Sequence, residues 1–189
     1  MSTSSKIRVA ILDDYQQVAF ISTEWTSVRD RLAIDVFTDT ISSEDALVKR
    51  LEPYTIICAM RERTKFGASL LDRLPNLKLI ATTGMKNAGI DIAHAKQKGI
   101  VVSGTEGMGD STLEHIWALI LATARSLAVE DKNMKEGKKQ WQSTIPMALS
   151  SRTLGLVGVG KLGSRTAKVS ARLNTVEIAH EALADCQGL

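Results

Sequence analysis

Residues 153–163 have the sequence TLGLVGVGKLG, in which a short apolar run leads into Gly-x-Gly-x-x-Gly, formed by Gly158, Gly160 and Gly163. Glycines in such a loop allow a tight turn, a close approach of the backbone to a pyrophosphate, and close packing of the next helix on the strand. The N terminus of that helix offers free N–H groups and the positive end of its dipole. We therefore predict a strand over 153–157 and the opening of a dinucleotide-binding unit.

The chain ends at Leu189, before a fold that uses such a loop would be complete. An intact dinucleotide fold needs a second strand that carries an acidic residue about 20 positions beyond the glycines, and Glu181 is near that distance. However, Val176, Ala179 and Leu183 recur at helical spacing after a good helix cap at residue 174. We predict that residues 174–187 form a helix, and the strand remains the alternative.

Upstream, short apolar β-branched runs alternate with amphipathic segments, which is typical of a parallel sheet covered on both faces. The predicted strands are 7–12, 33–37, 54–60, 77–82 and 100–103, and the predicted helices are 15–28, 43–51, 66–73 and 91–98. These elements make an α/β, flavodoxin-like domain over 1–108. Asp110 or Ser111 can cap a long helix that opens an incomplete Rossmann domain over 109–189, and a polar stretch follows at 130–142.

Composition excludes several kinds of protein. The net charge of +3 is spread along the chain, and the densest cationic cluster, at 131–139, contains acidic residues and no interleaved aromatic residues, so we expect no nucleic-acid partner. Cys58 and Cys186 form neither a disulfide framework nor a metal-binding spacing. No apolar stretch of 18 residues occurs, so we expect no membrane span and a cytoplasmic protein.

Four motifs occur in a specific order along the chain. They are TTGMKNAGID at 82–91, GIVV at 99–102, STLEH at 111–115 and the glycine loop at 158–163. Together they resemble the NAD(P)-dependent D-isomer-specific 2-hydroxyacid dehydrogenases over residues 7–172. The resemblance implies an oxidoreductase that transfers hydride between NAD(P)H and a small 2-oxo or 2-hydroxy acid. It also implies a substrate domain over 1–108, the start of a cofactor domain over 109–189, and a catalytic cleft between the two.

The resemblance assigns a substrate-binding set to two loops. The turn from Gly84 through Met85 and Lys86 matches the family's carboxylate-binding turn, whose backbone N–H groups hold the substrate acid. It departs from the commoner Gly-Val-Gly form at Met85 and Lys86, which leaves the substrate preference open. The loop with Arg61, Arg63 and Thr64 matches the segment that closes over substrate. Either arginine is a candidate for a charge-assisted hydrogen bond to the carboxylate.

The resemblance also assigns the cofactor-binding residues. Beside the three glycines, Lys161 and Leu162 would present backbone N–H groups to the pyrophosphate, and Thr112 lies where the family often contacts cofactor. The cofactor is NAD or NADP. We expect weak binding, because half of a dinucleotide fold keeps the pyrophosphate loop but lacks the adenosine pocket and the nicotinamide platform.

The family's catalytic arginine, glutamate and histidine match no residue of this chain. His94 is expected on a polar surface helix, His115 is expected to pack or make a structural hydrogen bond, and His180 has no arginine placed near it. We therefore assign no catalytic residue and no metal ligand. We expect the chain by itself to be nearly inactive.

Two other interpretations remain open. The helix and arm over 110–148 match the segment through which these dehydrogenases dimerise, so the chain is a candidate non-catalytic partner in a homo-oligomer or in a mixed dimer with a full-length relative. In that case Trp117, Ile120, Leu121 and Trp141 would form an apolar surface, and the alternative is that they pack on the chain's own core. The third interpretation is a truncated product with no selected role.

Overall fold

The structure, a computed structural model, describes residues 6–107 and 109–180. The chain divides into two compact units, Met1–Gly107 (unit 1) and Met108–Leu189 (unit 2). Each unit is built around its own parallel sheet.

Unit 1 contains a five-stranded parallel sheet in the order β2-β1-β3-β4-β5. The strands are β1 (Ile7–Ile11), β2 (Leu32–Val36), β3 (Ile56–Ala59), β4 (Leu79–Thr82) and β5 (Val101–Gly104). The predicted strands and the flavodoxin-like α/β fold are confirmed. In this order the connections that leave β1 and β3 turn away from each other, which opens a crevice at the carboxyl ends of those two strands.

Three helices accompany the sheet: α1 (Glu44–Leu51), α2 (Ala68–Asp72) and α3 (Ile92–Gln97). Leu51, Leu70 and Leu71 from these helices are fully buried with Ile57 and Ile80 of the central strands. One contiguous apolar core therefore holds the sheet and helices of unit 1 together.

The helix predicted over 15–28 is wrong, since turns occupy this segment. The side chain of Asp14 accepts hydrogen bonds from the N–H groups of Val18 and Ala19, both at 3.0 Å. Gln17 adopts a left-handed backbone with φ 56°, and the Trp25 indole N–H donates to the Ala19 carbonyl at 2.8 Å. Aspartate side chains that bond nearby backbone groups offer the chain an alternative to helix, and here that alternative is adopted.

Unit 2 begins with α4 (Ser111–Ala124) and α5 (Leu127–Lys135) and continues with β6 (Thr153–Val157), α6 (Lys161–Ser170) and β7 (Val176–His180). The predicted strand over 153–157 and the predicted long helix are confirmed. A helix within the stretch that we expected to be merely polar was missed. No helix among the described residues is both long enough and apolar enough to cross a membrane.

The helix predicted over 174–187 is wrong for its first part, because Val176–His180 is a strand that pairs in parallel with β6. Asn174 has a left-handed backbone (φ 51°) that ends the short 3₁₀ turn after α6. The β-branched Thr175, Val176 and Ile178 then favour a strand, and β6 offers a ladder of backbone partners. Residues 181–187, including Glu181, lie outside the described part of the chain.

Of the two alternatives for the apolar side chains at 117, 120, 121 and 141, the structure gives packing on the core for Trp117 and exposure for Leu121 and Trp141. Trp117 is 8% exposed, and its indole nitrogen has no hydrogen-bond partner among the described residues. Ile120 is half-buried, whereas Leu121 and Trp141 are exposed. Trp117 therefore packs inside unit 2 and leaves the other three to face outward to different degrees.

Candidate functional site

In the turn after β4, the Arg61 guanidinium lies against the backbone of Gly84. Gly84 has φ 89°, and a Cβ atom at this position would overlap the side chain of Arg61. The Gly84 N–H donates to the Thr105 hydroxyl at 3.2 Å. Met85 and Lys86 follow with exposed side chains, and within the described residues their backbone N–H groups have no hydrogen-bond partner. Free N–H groups beside a guanidinium are an arrangement that suits a carboxylate.

Arg61 is held from the β4 side. Its N–H donates to the Thr83 hydroxyl at 3.1 Å, and its carbonyl accepts from the Asn87 side chain at 2.6 Å. Asn87 is buried and also donates to the Thr82 hydroxyl at 2.8 Å. Arg61 itself has a left-handed backbone, with φ 50°. Sequence reasoning missed Asn87. Its side-chain oxygen accepts a hydrogen bond from the Gly89 N–H at 2.8 Å, and an asparagine two residues before a glycine is a turn signal.

The other residues predicted in this loop point elsewhere. The Arg63 guanidinium donates to the Asp13 carbonyl at 2.7 Å and lies 4.3 Å from the centre of the Tyr15 ring. Thr64 is buried, and its hydroxyl donates to the Asp13 carboxylate at 2.8 Å. Of the predicted substrate-binding residues, Arg61, Gly84, Met85 and Lys86 thus lie together, whereas Arg63 and Thr64 face the β1 loop.

The glycine loop between β6 and α6 has the shape that a phosphate group requires. Gly158 has φ 87°, and a Cβ atom on Gly163 would overlap the Gly158 carbonyl. Gly160 caps α6, and the N–H groups of Lys161 and Leu162 have no partner within the described part of the chain. These free donors at a helix N terminus fit the pyrophosphate of a dinucleotide.

Thr112 lies in the first turn of α4, exposed to solvent. Arg165 of α6 donates to the Gly109 carbonyl at 2.7 Å and pairs with the Asp110 carboxylate. Arg165 therefore ties the start of α4 to α6, the helix that follows the glycine loop.

The His94 side chain forms a hydrogen bond within unit 1. The His94 ring lies 2.9 Å from the Asp72 carboxylate, and this hydrogen bond, with a second one from Lys98, holds the pKa of Asp72 below its usual range. His115 is exposed on α4, and His180 is the last residue of β7. Burial raises the pKa of the Cys58 thiol, which makes it a poor nucleophile. The described residues contain no cluster of metal-binding side chains.

Comparison with known proteins gives consistent matches. The family model described as "D-isomer specific 2-hydroxyacid dehydrogenase, catalytic domain" matches residues 9–187. A D-3-phosphoglycerate dehydrogenase from Archaeoglobus fulgidus is 33% identical over 162 residues, which cover 85% of this chain and 31% of that protein. A hydroxypyruvate reductase from Thermotoga maritima is 34% identical over 139 residues, which cover 73% of this chain and 45% of that protein.

The matches among solved structures are to the same class of protein. The crystal structure of a phosphoglycerate oxidoreductase from Vibrio cholerae is 33% identical, with a TM-score of 0.84 over 96% of this chain and 58% of that one. A putative D-3-phosphoglycerate dehydrogenase from Ralstonia solanacearum is 28% identical, with a TM-score of 0.80 over 93% of this chain and 55% of that one. The chain thus spans between 31% and 58% of the lengths of these relatives.

Proposed function

Because the chain belongs to the D-isomer-specific 2-hydroxyacid dehydrogenase family, we propose that it carries two binding sites of such an oxidoreductase. In this proposal residues 1–108 are the substrate domain and bind the carboxylate of a 2-oxo or 2-hydroxy acid. Residues 109–189 are the first part of the cofactor domain and bind the pyrophosphate of NAD or NADP. The nicotinamide cofactor would supply or accept the hydride.

The observation that carries the proposal is the position of Arg61 over Gly84. The guanidinium occupies the space where any other residue would have its Cβ atom, and the free N–H groups of Met85 and Lys86 follow directly. A carboxylate at this turn would accept from the backbone and from Arg61 together. Charge-assisted hydrogen bonds of this kind are about twice as strong as neutral ones. The Lys86 side chain adds a further positive charge near the turn.

The cofactor site rests on the glycine loop. Gly158 and Gly163 approach each other so closely that a side chain on Gly163 would fill the space, and the free N–H groups of Lys161 and Leu162 fit a pyrophosphate. We propose that Thr112 lies beside the cofactor. Binding by this 189-residue chain is weak, because few of its residues match the adenosine pocket and the nicotinamide platform.

For the same reason we propose that this polypeptide, taken alone, does not turn over substrate. No residue of the chain matches the family's acid–base histidine, and general acid–base catalysis contributes about 10²–10⁴-fold. The protein alone should leave NADH absorbance unchanged in the presence of glyoxylate. Turnover above that of a protein-free mixture would contradict this part of the proposal.

Two separate titrations test the binding sites. Oxalate, a small mimic of a 2-oxo acid, should shift the backbone amide NMR signals of residues 84–88, and NADH should shift those of residues 158–163. Arg61→Gln should abolish the oxalate response. Lys65→Gln is the matched control, since it removes the same charge from the same loop at an exposed side chain for which the structure records no hydrogen bond. An oxalate response that is equally weakened by both variants would indicate only a general effect of charge.

The exposed apolar side chains over 110–148 favour a second candidate function, a non-catalytic partner that self-associates or pairs with a full-length relative. Ile145 is 98% exposed, and Leu119, Leu127, Met134 and Trp141 are also exposed. Sedimentation velocity at micromolar concentration should then show a dimer that Ile145→Asp dissociates. A monodisperse monomer of the unaltered chain would contradict this candidate.

A further inference from the structure

We infer that Asp13 is a positioning residue that joins the loops after β1, β2 and β3 and thereby fixes Arg61 over Gly84. The inference rests on the proposed binding of a carboxylate at that turn. Asp13 follows β1 by two residues, is 1% exposed, and adopts a left-handed backbone with φ 59°. Non-glycine residues rarely adopt this conformation, and it persists where the surroundings hold it.

The carboxylate of Asp13 binds two hydroxyl groups from two other loops. Thr64, in the loop after β3, donates to Oδ2 at 2.8 Å, and Thr40, in the loop after β2, donates to Oδ1. The Tyr15 hydroxyl in turn forms a hydrogen bond with the Thr40 hydroxyl. A carboxylate accepts through both oxygens, whereas the amide of asparagine accepts through only one. Asparagine at this position would therefore have to donate its NH2 group to one of the two hydroxyls, and it would lose the negative charge that strengthens both hydrogen bonds.

The backbone carbonyl of Asp13 makes a second contact with the loop after β3. Arg63 donates from Nη1 to the Asp13 carbonyl at 2.7 Å, while its guanidinium lies over the Tyr15 ring. Residues 63 and 64 are thus both fixed by residue 13. They lie at the opening between β1 and β3, where ligands bind in open α/β sheets.

Arg61 lies between two anchors. On one side Thr83 and Asn87 hold its backbone N–H and carbonyl, and on the other side Asp13 holds residues 63 and 64. One residue separates Arg61 from Arg63, and two separate it from Thr64. Release of the Asp13 anchor therefore leaves the segment 62–65 held at its two ends, by Arg61 and by Phe66, whose N–H donates to the Gly89 carbonyl at 2.7 Å. The guanidinium then samples positions away from Gly84, and the affinity for a carboxylate falls.

Four variants test the inference, each compared with the unaltered chain. Asp13→Asn removes the charge that strengthens both hydrogen bonds, Thr64→Val removes the hydrogen bond from residue 64, and Thr64→Ser retains the hydroxyl. Asp14→Asn is the matched control, since Asp14 is an adjacent buried aspartate whose carboxylate accepts from Val18 and Ala19 within its own loop. Two readouts are measured: hydrogen exchange of the Arg61 amide, which donates to Thr83, and the Kd for oxalate from amide NMR shifts.

In Asp13→Asn and Thr64→Val we expect Arg61 exchange to be about tenfold faster and the oxalate Kd about tenfold higher, as the loss of one hydrogen bond to a charged group implies. Thr64→Ser and Asp14→Asn should match the unaltered chain. Unchanged Arg61 exchange and unchanged oxalate Kd in both disruptive variants would overturn the inference and leave carboxylate binding intact. If the unaltered chain binds no oxalate, the proposed function fails, and unchanged Arg61 exchange would still overturn the anchoring role of Asp13.

Discussion

Two features of the turn require glycine at position 84, its backbone conformation and the space that Arg61 occupies. Its φ of 89° is costly for any residue with a side chain, and the Arg61 guanidinium lies where a Cβ atom would be. We expect Gly84→Ala to lower the free energy of unfolding of unit 1 by about 1–3 kcal/mol and to displace Arg61. Urea denaturation gives the first quantity, and loss of the oxalate response reports the second.

Gly67→Ala is the control for this prediction. Gly67 lies at the start of α2 with φ −75°, and a Cβ atom there would meet nothing within 4 Å. Its replacement should leave both measurements unchanged. An equal loss of stability in the two variants would show that the turn at Gly84 is not specially constrained.

Gly163 is constrained by the glycine loop itself. Gly163→Ala forces either the Gly158 carbonyl or the first turn of α6 to move, so we expect a loss of about 1–3 kcal/mol in the stability of unit 2 and the disappearance of any NADH response at residues 158–163. Gly155→Ala, on the neighbouring strand, adds a Cβ atom in open space and should be neutral or slightly stabilising. Retained NADH shifts in Gly163→Ala would argue against a pyrophosphate in this loop.

At this scale the sequence predicted residues whose spacing reports a local backbone shape and missed residues whose role is a contact with a distant part of the chain. The glycines stand out because their spacing reports a backbone shape. Asn87 and Asp13 act on partners 26 and 51 residues away, Arg61 and Thr64 respectively, and only the finished sheet brings these residues together. No periodicity or short motif reports such contacts.

At the scale of secondary-structure elements, the predictions were correct where the hydrophobic pattern of a segment and its neighbours in the fold favoured the same structure. The strands of unit 1 are apolar runs that pair in one parallel sheet, so their positions were predicted to within a few residues. The errors at 15–28 and at Val176–His180 have one physical origin. In both places a single polar residue, Asp14 or Asn174, redirects the backbone, and spacing alone does not reveal this.

The segment after α5 that contains Ser143 and Thr144, here called the arm, is held against that helix by hydrogen bonds to Glu130. The Glu130 carboxylate accepts from the N–H groups of Ser143 at 2.9 Å and Thr144 at 2.8 Å and from the Thr144 hydroxyl at 2.6 Å. The hydrogen bond from the Thr144 side chain, followed by that from the Ser143 backbone, lowers the pKa of Glu130 below its usual 4.5. The folded arm therefore favours the ionised acid.

The sign of the pH effect follows from that shift. A carboxyl whose pKa is lower in the folded state stabilises the fold fully above the unfolded pKa and loses this contribution as the pH falls through the folded pKa. We expect the amides of Ser143 and Thr144 to exchange faster as the pH drops below about 4.5, after correction for intrinsic exchange. Glu130→Gln should show faster exchange already at neutral pH.

Glu136→Gln is the matched control on the same helix. Glu136 lies at the end of α5, and its carboxylate pairs with Lys132 and Lys138 among the described residues. Its replacement should leave the exchange of Ser143 and Thr144 unchanged. An arm that exchanges equally fast in both variants would mean that Glu130 does not fasten it.

On the scale of the whole molecule, the two units differ in how much apolar surface they bury. Unit 1 has a contiguous core that includes Phe66, Leu51, Ile57 and Ile80, each 0% exposed. Within residues 109–175 of unit 2, the buried apolar residues are Trp117, which is 8% exposed, and Ala124, which is 7% exposed. Burial of apolar area is the main stabilising contribution to folding, so unit 1 should be the more stable of the two.

We therefore expect the chain to unfold in two steps in urea. Native-state hydrogen exchange should show the amides of β6 and α6 opening at lower urea than those of β1 and β3. Such separate cooperative units are commonly observed where contacts within each unit dominate. One transition shared by all amides would contradict the prediction.

The burial of Trp117 also has an optical consequence. An indole that solvent cannot reach emits fluorescence at shorter wavelength than one in water, and Trp117 is 8% exposed whereas Trp141 in the same unit is 44% exposed. In a Trp25→Phe variant, which keeps only these two indoles, iodide should therefore quench Trp141 and leave the blue-shifted emission of Trp117. The intrinsic fluorescence of that variant would then report separately on the interior of this unit and on its arm.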